Sequence, residues 1–201
     1  MFNQLIWSKK NALPKNFCDS VIKKYDQDLR KVDSVISAGL VCDKSVRDST
    51  NLSITGLEEW KEEDGQFYNS LKDGLSEYID YLSSIDGNIA PIRYNLKIQD
   101  DGYTIIKYKP QGYYNWHSDW NIFNIGSRII SYMWYLNTID VKDDGYTEFI
   151  DKTRIQPECG TLLFFPATWT YVHRGMTPKV DKYICNGWIH AKSSIDDSVE
   201  K

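Results

Sequence analysis

Between Leu13 and Arg30 the apolar residues Phe17, Val21, Tyr25 and Leu29 fall four apart, with Ile22 beside them. A four-residue recurrence puts side chains on one stripe of a helix, and Pro14 and Asn16 stand where start signals belong. The spacing predicts an amphipathic helix over residues 13–30. From Glu58 to Ser84 the same period returns, with Phe67, Leu71, Leu75, Tyr78, Ile79 and Leu82 on one stripe and Gly87 past the end. Gly74 inside this second helix costs about 1 kcal/mol relative to Ala and weakens the helical signal. Between the two, residues 33–56 mix Gly, Ser, Asp and Thr with short apolar runs. That composition predicts loops and short strands, with room for a flexible lid.

After Pro91 the pattern changes to short β-branched and aromatic runs separated by turn signals: "YTIIKYK", "RIISYMWYLN", "YTEFID", "GTLLFFP", "TYVHRG" and "KYICNGWIHA". In the second of these, Ile129, Met133 and Tyr135 alternate against Ile130, Tyr132 and Trp134, so both faces of that strand are apolar and both are expected to be buried. The helices then cover one face of an antiparallel β-sandwich or barrel whose other face lines an interior. No internal repeat or linker interrupts the chain, and the closing "KSSIDDSVEK" is polar enough to fray.

At 201 residues with 41% hydrophobic content, the chain fits one domain with a sizeable core. A formal net charge of -4 and a pI near 5.4 supply no basic surface for phosphates, so nucleic acid is not an expected partner. The opening "MFNQLIWSKK" has a short apolar run followed, not preceded, by lysines, and no later run reaches the roughly 18 apolar residues of a membrane span. A cytoplasmic protein, monomer or homodimer, with no membrane association is expected. The four cysteines, Cys18, Cys42, Cys159 and Cys185, show no C-x-x-C and suit a reducing compartment, as packing thiols.

Candidate chemistry begins with "NWHSDWN", which holds His117, one of only three histidines, two residues before Asp119. On a strand such residues share a face, whereas on a helix they lie about 200° apart, so the spacing makes sense on a strand. The motif is short, and a strand-end histidine bonded to an aspartate is its plainer reading. His173, in "FFPATWTYVHRG", falls on another predicted strand, where a core or turn histidine is the simplest interpretation. Brought together, two imidazoles and one carboxylate make the facial triad of non-haem Fe(II) oxygenases, with positions left open for chemistry. A structural zinc site would close with a fourth ligand, and no cysteine or further histidine stands at a suitable spacing.

Lys182 lies nine residues beyond His173, across a turn marked by Gly175, Pro178 and Asp181. If residues 169–174 and 182–190 form a hairpin, Lys182, Ile184, Asn186 and Trp188 share one face. An ammonium facing a barrel interior demands a partner such as a dicarboxylate, unless the lysine reaches solvent from a strand end.

The ordered blocks "YKPQGYYNWHSDW", "RIISYMWYLN", "DGYTEFID", "IQPECGTLLFFPATWTYVHRG" and "DKYICNGWIH" resemble the 2-oxoglutarate- and Fe(II)-dependent dioxygenases of the prolyl 4-hydroxylase-like branch. The first half fits more loosely, with "LPKNFCDSVIKKY" similar to the family's leading helix and "SVRDST" similar to a segment before its long helix. The resemblance implies an α+β, mainly β fold: a double-stranded β-helix, or jelly-roll, core with N-terminal supporting helices. It implies a single dioxygenase domain over residues 1–201, with helical support and lid segments at 1–90, the jelly-roll core at 91–191 and a flexible tail at 192–201.

Carried over by residue, it implies Fe(II) on His117, Asp119 and His173, and the distal carboxylate of 2-oxoglutarate on Lys182. Tyr108 and Tyr135 match tyrosines that contact the cosubstrate, and Asn186 and Trp188 match positions lining its pocket. The further requirements are O2 and, to keep iron reduced, ascorbate. The expected reaction is hydroxylation of a C–H bond, with peptidyl proline the leading substrate and a metabolite or free amino acid the alternative. Halogenating relatives lack the carboxylate that Asp119 provides. Tyr113, Tyr114, Trp116, Trp120 and Phe123 are candidates to stack on a proline ring or to join the core, and Arg47 and Arg174 to contact substrate or stand in solvent. Demethylation of nucleic acid by the same fold would call for a basic surface, and a non-catalytic β-sandwich binding module would be favoured by a missing ligand.

Overall fold

The computed structural model describes residues 2–36, 41–86, 97–123 and 126–192. In chain order its elements are β1 (Trp7–Lys9), α1 (Lys15–Gln27), β2 (Val32–Asp33), β3 (Arg47–Asp48), β4 (Thr50–Ser53), α2 (Lys61–Ile85), β5 (Lys97–Asp100) and β6 (Thr104–Tyr108). There follow β7 (Tyr113–His117), β8 (Ile122–Phe123), β9 (Gly126–Tyr135), β10 (Thr147–Phe149), β11 (Arg154–Ile155), β12 (Leu162–Pro166), β13 (His173–Gly175) and β14 (Lys182–Lys192). Among the described residues no helix is long and apolar enough to cross a membrane.

Two antiparallel sheets face each other. The larger runs β1-β12-β9-β14-β6-β4-β2, with β5 and β8 added on β14 and β9, and the smaller runs β11-β10-β13-β7-β3. Side-chain alternation divides the larger sheet between two cores. Tyr132 and Trp134 of β9, Leu162 and Phe164 of β12, and Tyr183 and Cys185 of β14 face the helices, where they meet Phe17, Val21, Phe67 and Tyr78. The intervening Met133, Tyr135, Leu163, Phe165 and Ile184 face the smaller sheet and meet Phe149. This is the mainly β jelly roll with supporting helices. Burial on both faces of β9 follows the sequence pattern, except that Ile129 packs on the helix side.

The first helix stops three residues short of Arg30 because Asp28 breaks it: its carboxylate accepts the Arg30 backbone N–H at 2.9 Å and the Trp60 indole N–H at 2.9 Å. Leu29, counted on the apolar stripe, is therefore 96% exposed. Gly74 has a packing reason: a Cβ there would lie 2.4 Å from Leu162 Cδ2, so the bare backbone lets α2 sit close on the sheet. Residues 33–56 join both sheets, β2 and β4 in the larger and β3 in the smaller, with 37–40 outside the described residues. Gly87, the first residues of the 91–191 segment and positions 193–201 of the expected tail also lie outside them, while Lys192 ends β14.

The expected strand pairing fails at one place. Strands β13 and β14 do not form a hairpin: β13 pairs with β10 and β7, and β14 with β9, β6 and β5. The turn residues between them carry the chain from one sheet to the other.

Candidate active site

The antiparallel register of β7 and β13 sets His117 directly opposite His173, with a bulge before Gly175 meets Tyr114. Bulges re-aim side chains, and here the two rings approach to 4.2 Å between centroids. Asp119 is not on the strand, as the alternation argument required, since β7 ends at His117. The following loop delivers it, and the Ser131 hydroxyl of β9 fixes it by donating to Oδ2 at 2.7 Å. The carboxylate oxygens then stand 3.7 Å from His117 Nε2 and 3.8 Å from His173 Nε2.

Each imidazole has its tautomer set by the backbone carbonyl two residues before it. His117 Nδ1 lies 2.8 Å from the Asn115 carbonyl and His173 Nδ1 lies 3.0 Å from the Tyr171 carbonyl. A carbonyl only accepts, so Nδ1 carries the proton in both rings and Nε2 presents a lone pair. One donor atom from each of His117, Asp119 and His173 thus converges within 4.8 Å. Burial and the neighbouring His173 push the His117 pKa down to about 3, so that ring is neutral at physiological pH. Burial alone would raise Asp119, but the two histidines, the Ser131 hydroxyl and the Trp188 indole outweigh it and hold the carboxyl below its usual range. Three electron-rich atoms facing one space fit a divalent cation, and nitrogen, nitrogen, oxygen on one side is the donor set of a non-haem Fe(II) centre.

These residues line a cavity of about 430 Å³ between the sheets. On its far wall, Lys182, Ile184, Asn186 and Trp188 all face inward, as alternation along β14 dictates. Lys182 is 3% exposed, and no ion pair or hydrogen bond reaches its ammonium among the described residues. The rings of Tyr108 and Tyr135 stand at 5.6 and 5.7 Å from Nζ to centroid. Burial alone pulls its pKa down to about 7. An uncompensated buried ammonium is costly, and a carboxylate of a bound ligand relieves it. Tyr108 lines the cavity, whereas Tyr135 is absent from its lining and donates its hydroxyl to Thr147 Oγ1 at 2.8 Å. Tyr135 therefore stands behind Lys182 and Thr147.

Of the surrounding aromatics, Tyr114 stacks on His117 with centroids 3.5 Å apart, and Arg47 lies over its other side at 4.6 Å. Trp120 lines the mouth, half exposed, while Trp116 lies outside beneath the Arg174 guanidinium. The Tyr113 hydroxyl is bonded to the Lys44 carbonyl, and the Phe123 side chain lies outside the described residues. Arg47 faces the cavity, but Arg174 turns away to pair with the buried Glu148. Sequence reasoning missed Ser131, Thr147, Met133 and Arg128. The last lies over Trp188, 3.4 Å from the ring centroid, with Asp101 at 3.7 Å. Alternation inward from Tyr135 along β9 was the signal that would have found Ser131 and Met133.

Residues 103–190 match the family model described as the 2OG-Fe(II) oxygenase superfamily. No match appears among curated protein sequences. Among solved structures, the chain is similar to the viral collagen prolyl hydroxylase of Paramecium Bursaria Chlorella virus-1 in its 2OG complex, at 22% identity and TM-score 0.66, covering 94% of this chain and 97% of that one. It is similar to a Pseudomonas putida prolyl-4-hydroxylase at 17% identity and TM-score 0.68, with 92% of each chain covered. A Trichoplax adhaerens prolyl hydroxylase in complex with a hypoxia inducible factor oxygen degradation domain peptide fragment aligns at 17% identity and TM-score 0.73, covering 99% and 91%. Residues 103–190 thus match the 2OG-Fe(II) oxygenase superfamily model, and the chain has a fold similar to that of the prolyl hydroxylases.

Proposed function

We propose that this protein hydroxylates peptidyl proline, with His117, Asp119 and His173 holding Fe(II) and Lys182 holding the distal carboxylate of 2-oxoglutarate. The observation that carries the reading is one cavity with three converged metal donors on one wall and an unpaired, buried ammonium on the other. Bound iron, with O2, couples oxidative decarboxylation of 2-oxoglutarate to insertion of oxygen into a substrate C–H bond. The chain's own residues orient and shield. Lys182 fixes one end of the dicarboxylate, Tyr108 and Ile184 flank it, and the Asn115 and Tyr171 carbonyls keep both histidines in the ligating tautomer. Asp119 occupies the third protein position, which favours hydroxylation over halogenation. Tyr135 acts through Thr147, and Asn186 and Trp188 complete the wall toward substrate. Peptide as the substrate class is supported by the likeness to prolyl hydroxylases, one of them in complex with a peptide fragment. The acidic chain, read as a single cytoplasmic dioxygenase unit, monomer or homodimer, has no use for nucleic acid.

The test is anaerobic titration of the metal-free protein with Fe(II) and then 2-oxoglutarate, followed by visible absorption. A weak charge-transfer band from the chelated 2-oxo acid is expected. Proline-containing peptides should then gain the mass of one oxygen atom under air, with ascorbate present. A folded protein that gives no band refutes the iron assignment. A band with turnover only of free amino acids refutes the peptide assignment.

A further inference from the structure

Asn186 Oδ1 and Trp188 Nε1, both on the cavity wall, are buried without a hydrogen bond among the described residues. Asn186 sits on β14 between its register neighbours Thr104 of β6 and Met133 of β9, and all three line the cavity. Its Oδ1 is buried, with no hydrogen bond among the described residues. Neither neighbour bonds it: the Thr104 hydroxyl pairs with Ser53 Oγ at 3.1 Å and does not reach Oδ1, and Met133 has no donor. The Trp188 indole, two residues along the same face, lies close enough to Asp119 to help hold that carboxyl down, and it makes no hydrogen bond to Asn186. With the oxygen at that position, no protein donor reaches it among the described residues.

2-Oxoglutarate near neutral pH is a dianion and offers acceptors only. A prolyl residue has no N–H. In the resting protein Oδ1 has no donor, and a substrate N–H brought against it would supply one. We infer that Asn186 is a specificity-determining residue that accepts a substrate N–H: in a peptide, the main-chain N–H of the residue following the target proline. The inference rests on the function proposed above. It carries a sequence rule for substrates, since a second proline in that position has no N–H to give and is selected against.

The experiment uses the full chain, anaerobic, loaded with Fe(II) and 2-oxoglutarate, with perturbation of its visible band as the binding signal. The probes are N-acetylproline N-methylamide and N-acetylproline methyl ester, which differ by one N–H replaced with oxygen. Wild type should bind the amide about tenfold tighter. Asn186→Leu and Asn186→Ala should bring the two probes within about twofold, and Asn186→Asp, still an acceptor, should keep the preference. A retained band shows that a variant is folded. Equal binding of both probes by wild type, or a preference that survives in the Leu and Ala variants, overturns the inference and leaves the prolyl reading standing. If the band forms and neither probe perturbs it, the prolyl reading fails. Free proline against N-methylproline then decides: an N–H preference abolished by Asn186→Leu sustains the role of Asn186, and its absence overturns it.

Discussion

Strand β14 carries two unlike surfaces on one backbone. Toward the helices, Tyr183 and Cys185 are buried in an aromatic core, and the Tyr183 hydroxyl donates to Asp26 at 2.8 Å. Toward the smaller sheet, among the described residues, the buried Lys182 ammonium and the buried Asn186 Oδ1 have no hydrogen-bond partner in the protein. The first face is complete in the protein alone, and the second is complete only with ligands. Stability and binding are thereby assigned to alternate residues, and substitutions on the two faces should fail in opposite ways.

The largest separation is expected from Asp119→Ala, which should abolish 2-oxoglutarate-dependent turnover. Its thermal midpoint should move little, the lost Ser131 hydrogen bond being worth about 1 kcal/mol. Turnover assays beside calorimetry check this, and full activity would refute the ligand assignment. On the other face of β9, Trp134→Ala should cost about 3–5 kcal/mol in denaturant unfolding, because Trp134 is 0% exposed and packed against Phe67 at 5.1 Å. Lys182→Ala should raise the 2-oxoglutarate concentration needed for half-saturation roughly a hundredfold. The same change should raise the melting temperature of the ligand-free protein, since an unpaired ammonium is removed; a large destabilisation would mean that Lys182 has a protein partner.

The smallest effect is graded with pH. The folded pKa of Lys182, about 7, lies below the ordinary 10.5, so between those values the unfolded chain binds the extra proton. Stability of the ligand-free protein therefore rises with pH across that window. Affinity for 2-oxoglutarate runs the other way, falling up to about tenfold per pH unit above 7, because the dianion selects the charged ammonium. Lys182→Arg, which stays protonated, should flatten that slope in a binding titration.

The sequence was legible where periodicity alone decides. Alternation along β14 placed Lys182, Ile184, Asn186 and Trp188 on one wall, and the four-residue period located both helices. It was less legible where distant polar groups meet. Ser131 supports Asp119 across a strand-to-loop contact, and Glu148 is bridged by Arg154 and Arg174 from two different strands. Nothing in local composition announces such pairs. The mistaken hairpin has the same origin: Gly175, Pro178 and Asp181 signal that the chain turns, but strand pairing depends on what else each edge can bond. For β13 the competitor was β7, which brought His117 opposite His173. Asp119 was read as strand-borne because spacing of two residues cannot show that the strand has already ended.

Gly187 shows how the two faces are kept from exchanging. A Cβ there would lie 2.2 Å from the Tyr132 hydroxyl oxygen and 2.3 Å from the Gly102 carbonyl oxygen, two groups already bonded to each other at 3.0 Å. A one-residue slip of β14 would turn Lys182 into the helix-side core, and it would also bring Asn186 or Trp188 beneath that bridge, where neither fits. The misaligned pairing thus rejects itself while the chain is folding, and the active site is proofread by a residue that has no side chain.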